Sequence, residues 1–243
     1  MDSVDALLAA ALNGLAPKSE YAASARKKGA YSQDMSNVIA LALGEALRQR
    51  GMREAMPGVT EGNGRSGSER RMAGGIGAKK VDVTWATEEC GLICAASIKT
   101  INWRDKKSGN YQKNLTNRRG DMLFESVTLH RRFPYAVLLG FLFLDIGSAS
   151  DDTETRESTF ANAHHRLKLF TGRDDPGDRE EQYERLYIAL VDADPAGSTV
   201  RCTPVGEPDF NVSFDDVVAQ VLDLVADRNP DFYDVRDGRI VRR

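Results

Sequence analysis

Cysteine is scarce in this sequence: Cys90, Cys94 and Cys202 make three, an odd number that cannot close into a disulfide framework. Cys90 and Cys94 have no second Cys or His pair at ligand spacing, which makes a poor zinc pattern. Reduced, buried thiols in a cytoplasmic protein are the expectation. Histidine is equally sparse, and His130, His164 and His165 form no ligand spacing with the cysteines. Each is expected to be a lone surface side chain. Long apolar runs are missing too. The longest, around Tyr135 to Leu144, has the length of a buried strand and not of a membrane span, so no membrane partner is expected. The N-terminal stretch MDSVDALLAAALNGLA is acidic and lacks the basic start of a secretory signal. An excess of positive charge is absent as well: 33 Lys and Arg against 36 Asp and Glu leave a net charge of −3. A nucleic-acid partner must therefore be argued from local charge distribution. Gly74-Gly75-Ile76-Gly77 is not followed by GK[ST], so it is no phosphate loop, and nucleotide hydrolysis has little support.

What is present reads as alternating helices and strands. Val4, Leu7, Leu8, Ala11, Leu12 and Leu15 recur at helical spacing. A second helix is predicted from about Asp34 to Arg50, with Glu45 as its acid. Residues 53–78 are rich in Gly, Ser, Arg and Glu and are expected to be a long flexible segment, one whose Arg65, Arg70 and Arg71 order on DNA or which serves as a plain connector. The run from Phe133 to Leu144 reads as a central strand, apolar on both faces, which needs helices on each side. A helix is expected across Glu154 to Gly172, strands at Leu186 to Val191 and Thr199 to Val205, and a closing amphipathic helix from Phe214 to Ala226. With no internal repeat, the simplest division is one α/β domain. Its core spans about 34–145, with a helical extension at 1–33 and α/β additions at 146–243.

The chemistry concentrates in residues 79–125. Val81, Val83 and Trp85 alternate with Lys80, Asp82 and Thr84, which predicts a strand with Asp82 on the face opposite its apolar residues. A second apolar run, Leu92 to Lys99, follows the turn-like TEECG, and the pair reads as an antiparallel hairpin. Ser97 and Lys99 share one face of the second strand. In register, Asp82 would lie beside Lys99, as a neutralised ion pair or as a metal site with its lysine.

An Asp on one strand and an acid-x-Lys element on the next resembles the PD-(D/E)xK nuclease superfamily, which includes many restriction endonucleases. Here Ser97 stands where the acid is usual, which resembles the Ser-x-Lys subgroup, whose missing carboxylate comes from the following helix. The stretch Asn117-Arg118-Arg119-Gly120-Asp121 is similar to that subgroup's helical element. The resemblance implies a restriction-endonuclease-like mixed sheet flanked by helices, with Asp82, Ser97, Lys99 and either Asp121 or Glu125 in the catalytic site. It implies Mg²⁺, with Mn²⁺ able to substitute, held by Asp82, a helix acid and the Ile98 carbonyl. Glu45 is either a further ligand or a solvated acid. Carboxylates suit such a hard cation, and a lysine suits charge developing on a phosphate.

From Lys99 to Arg119 the basic residues Arg104, Lys106, Lys107, Lys113, Arg118 and Arg119 are accompanied by Asp105 as the only acid. This stretch reads either as a double-stranded DNA contact beside the site or as a solvated loop. The implied protein is a Mg²⁺-dependent DNA endonuclease of restriction or related defence type, and cutting both strands favours a homodimer or higher oligomer. The alternatives are a structure-specific repair or phage nuclease, and a nucleic-acid-binding subunit that has lost catalysis.

Overall fold

The computed structural model describes residues 1–18, 20–58, 70–193 and 197–243. In chain order, helices α1 (Val4–Asn13) and α2 (Ala25–Gln49) precede a small antiparallel hairpin of β1 (Arg70–Ala73) and β2 (Ala78–Val81). Then come β3 (Val83–Thr87), β4 (Gly91–Ile101), α3 (Leu115–His130), β5 (Val137–Asp145), α4 (Thr159–Leu167), β6 (Arg185–Asp192) and β7 (Thr199–Pro204). Helix α5 (Phe214–Arg228) and the terminal hairpin of β8 (Tyr233–Arg236) and β9 (Arg239–Arg242) close the chain. Ser3, Ser24, Ser158 and Ser213 start four of the helices, each side chain accepting a backbone N–H of the first turn.

The protein is mixed α/β. Its central sheet has five strands in the order β3-β4-β5-β6-β7. The inner pairs β4–β5 and β5–β6 are parallel, and the outer pairs β3–β4 and β6–β7 are antiparallel. Each parallel connection carries a helix, α3 and then α4, and both lie on one face, where Leu115, Met122, Leu129, Phe160 and Ala163 pack with Leu138, Leu142 and Ile188. The other face is covered by α1, α2 and α5, whose Leu8, Ile39, Leu43, Val217 and Val221 meet Ile98, Phe141 and Phe143. Strand β5 thus sends alternate residues into both layers, as its unbroken apolar run requires. No helix among the described residues is long and apolar enough to cross a membrane.

Several expectations need correction. The strand through Val81, Val83 and Trp85 is not continuous: it breaks at Asp82, and Val81 packs on the α3 side while Val83 and Trp85 pack on the α2 side. An unbroken period of two would have put all three on one face. The second helix starts at Ala25, capped by Ser24, well before Asp34. Within the segment expected to be flexible, Arg65 lies outside the described residues, but residues 70–81 form the β1–β2 hairpin. Its turn is seated on α3, with the Gly75 N–H donating to the Thr128 carbonyl at 2.8 Å. A Cβ on Gly74 would fall 2.2 Å from Thr128 Cγ2, so glycine is needed for that approach. The helix predicted from Glu154 begins only at Thr159, because the Asp151 carboxylate holds the preceding loop by accepting the Tyr111 and Thr159 N–H groups. Of the histidines only His165 is exposed; His130 and His164 are buried among polar partners.

Candidate active site

Pairing between β3 and β4 ends at Val83 opposite Ala96, so Asp82 stands just before β3, and β4 runs on toward Ile101 paired with β5 but without β3 on its outer side. The Asp82 carboxylate takes the place of the missing neighbour, its Oδ2 accepting the Ile98 N–H at 2.6 Å. In a strand the N–H and C=O of one residue point to the same neighbour. The Ile98 carbonyl therefore faces the same open edge as Asp82. Lys99 turns its ammonium to 3.5 Å from Asp82 Oδ2.

The second carboxylate comes from α3. Ser97 and Gly140 are register partners on β4 and β5, and both are small. A Cβ on Gly140 would lie 2.8 Å from Met122 Cε and 2.3 Å from Leu186 Cδ1, so this glycine lets α3 settle close on the sheet. One turn beyond Met122, Glu125 is 1% exposed and places Oε2 3.2 Å from Lys99 Nζ. Its other oxygen, Oε1, is buried without a hydrogen-bond partner among the described residues. Burial raises the Glu125 carboxyl above its ordinary value; Lys99 and Lys79 oppose this and Asp82 adds to it. Burial also pushes Lys99 down, but Glu125 and Asp82 together outweigh it and hold the ammonium above its ordinary value. The raised Lys99 keeps its ammonium charged beside the two acids.

These groups line a cleft of about 740 Å³ between the first turns of α2, the loop from Asn102 to Asn114, and α3. Of the predicted DNA contacts, Arg104, Lys106, Lys113 and Arg118 line it, while Lys107 and Arg119 do not. Lys113 is held by Asp105 at 2.5 Å, which removes part of its charge from the cleft. Asp121 lines the cleft but does not reach Lys99; it is half exposed and pairs with Arg118 at 3.5 Å. Glu45 lies outside the cleft, near the end of α2, where its carboxylate accepts from Arg48 at 2.7 Å and Gln49 at 3.2 Å. Those bonds, with Arg48 foremost, lower its pKa and account for it as a surface ion pair, not a member of the site.

Sequence reasoning missed Lys79. Its Nζ lies 3.8 Å from Glu125 Oε2, the oxygen that Lys99 also approaches. The signal was available, since Lys79 is two residues before the apolar Val81 on a strand.

No group of three or more His, Cys, Asp or Glu side chains among the described residues is gathered to hold a metal. Asp82 and Glu125 both approach Lys99, and the Ile98 carbonyl faces the same edge as Asp82. That set suits Mg²⁺, which is commonly held by one or two carboxylates with water and substrate phosphate completing its shell. The orphaned Glu125 Oε1 supplies the unfilled acceptor such a cation needs. No family model, curated protein or solved structure matches the chain.

Proposed function

We propose that this protein is a Mg²⁺-dependent DNA endonuclease, of restriction or related defence type, in which Glu125 is the acid displaced from the Ser97 position. The observation that carries the reading is the convergence of Asp82 and Glu125, from separate elements, on Lys99 at the floor of a cleft with basic walls. The mixed sheet with Asp82 at the start of an outer antiparallel strand, Lys99 on its neighbour and Glu125 on the crossover helix supports a restriction-endonuclease-like fold.

Asp82, Glu125 and the Ile98 carbonyl would hold the cation. When bound there, Mg²⁺ would polarise the phosphate and lower the pKa of the attacking water. The chain's own groups do the rest. Ile98 donates to Asp82 and so fixes its carboxylate, while the close seat of α3 on Gly140 fixes Glu125. Lys99 is largely removed from water, at 13% side-chain exposure, so its charge acts strongly on negative charge growing on the phosphate. Arg104, Lys106 and Arg118 offer charge to backbone phosphates along the cleft. Cutting both strands needs two such sites and so a homodimer or higher oligomer.

Incubating a mapped plasmid with the protein and Mg²⁺, with and without a chelator, tests the reading. Discrete fragments that vanish with chelator are expected. Binding without any strand scission under Mg²⁺ or Mn²⁺ would leave a DNA-binding subunit instead.

A further inference from the structure

We propose that Lys79 is a second phosphate-binding residue of this cleft, delivered by the β1–β2 hairpin to the same Glu125 oxygen that Lys99 approaches; the inference rests on the nuclease reading. The hairpin lies outside the central sheet, yet it is anchored at both ends. Its turn is bonded to α3 through Gly75 and Thr128, and its second strand runs straight into Asp82. Lys79 and Val81 share one face of β2, and Val81 is buried on the α3 side, which directs Lys79 over α3. The Lys79 ammonium lies 3.8 Å from Glu125 Oε2 and 5.6 Å from the centre of the Phe124 ring.

That geometry is a loose ion pair with Glu125 and not a direct hydrogen bond. Direct N–H···O bonds run at about 2.7–3.2 Å, and Glu125 Oε1 is buried with no partner to compete for it. Lys79 stops short of both oxygens. Lys99 already pairs with Oε2 at 3.2 Å, and Lys79 keeps 24% side-chain exposure in the cleft where Lys99 keeps 13%. Charge counting gives the same answer. Asp82 and Glu125 offset Lys79 and Lys99, so the four side chains sum to zero. With a divalent cation on the two carboxylates, the site carries two surplus positive charges, more than enough for the single negative charge of a phosphodiester. Lys79 is the more loosely held of the two lysines, and its long stem lets the ammonium turn from Glu125 to a phosphate oxygen.

The test is binding of a labelled DNA duplex by the wild-type chain, Lys79→Gln and Lys79→Arg, with Ca²⁺ present in place of Mg²⁺ to occupy the two carboxylates, at several salt concentrations. Lys79→Gln is expected to weaken binding several-fold on every sequence and to reduce the slope of log affinity against log salt by about 0.9, the loss of one phosphate contact. Lys79→Arg should keep the wild-type slope. Melting curves run beside it separate a folding defect, which would shift Tm without changing the slope. Wild-type affinity and slope in Lys79→Gln, with the wild type binding DNA, would overturn the role of Lys79 and leave the nuclease reading standing. A wild type that binds no duplex overturns both.

Discussion

Ser97 and Gly140 sit side by side on adjacent parallel strands beneath α3. Their small size makes the room in which Glu125 approaches Lys99, and the absence of an acid at position 97 is part of that arrangement. A carboxylate at 97 and one at 125 would crowd the same face of the sheet.

Glu125→Ala is therefore expected to lower Mg²⁺-dependent cleavage by more than about 100-fold, beyond the range for residues that only support a metal ligand. Asp121→Ala, which removes an exposed partner of Arg118, should cost less than about tenfold on the same scale. Adding Ser97→Glu to Glu125→Ala should restore part of the activity, since the deletion vacates the space that a glutamate at 97 needs. Steady-state cleavage rates decide it, and the reverse ranking of the two single variants would hand the role to Asp121.

Asp82→Asn keeps the size of the side chain and an oxygen that can accept the Ile98 N–H, but it removes the charge. Calorimetric Mg²⁺ uptake with DNA present should disappear, and Tm should move by no more than the 2–4 °C that about 1 kcal/mol gives a chain of this size. Retained metal uptake would place the cation elsewhere.

Glu184 is fully buried and binds four groups: Arg173 and Arg228 on Oε1, and His130 and the Leu138 N–H on Oε2. Glu184→Ala strands two guanidinium groups and should destabilise the fold by about 3–5 kcal/mol, the usual cost of breaking a buried ion pair. Urea denaturation measures this. A loss below about 1 kcal/mol, the range of exposed pairs, would mean that water reaches the cluster.

His164 gives the fold a defined acid sensitivity. Its Nδ1 accepts the Gly206 N–H at 3.0 Å, which requires an unprotonated nitrogen. Burial, with His165 and Arg201 adding to it, pushes the ring down to about 4. An unfolded histidine titrates near 6.5, so between these values the unfolded chain binds the proton and the folded chain does not. Stability is full above about pH 6.5 and falls as pH drops toward 4, with a slope for this one group approaching about 1.4 kcal/mol per pH unit. Denaturation at pH 7 and pH 5 should show a smaller loss for His164→Gln than for the wild type. Equal losses would clear His164 of the effect.

Much of this site was legible in the sequence because strand chemistry is local. The hairpin reading brings Asp82 beside Lys99, and the structure puts them 3.5 Å apart, although Asp82 sits in the break before β3 and not within a continuous strand. The choice between Asp121 and Glu125 was not legible. Both lie on α3 about one turn apart, and what separates them is which turn rests on Gly140, a contact between distant parts of the chain. For Glu45, read as either a further ligand or a solvated acid, the structure shows the second, with Arg48 and Gln49 bonding it from three and four residues on along the same helix. His130 and His164 looked like isolated surface residues because their partners, Glu184 and Gly206, lie 54 and 42 residues on. Lys79 was passed over although it opens the stretch 79–125, because what brings it to Glu125 is the hairpin closed against α3 by glycines that read as a loop.

Beyond Ala96, no strand among the described residues pairs with the outer side of β4. An unpartnered strand edge invites a strand from another molecule, and proteins guard such edges with charges placed over them. Asp82 occupies the Ile98 N–H that a sixth strand would claim, and Lys99 sets a desolvated charge beside it. Both residues thus place charge over an edge that a strand from another molecule could otherwise join. Apolar replacement of both would remove that barrier to edge-to-edge aggregation.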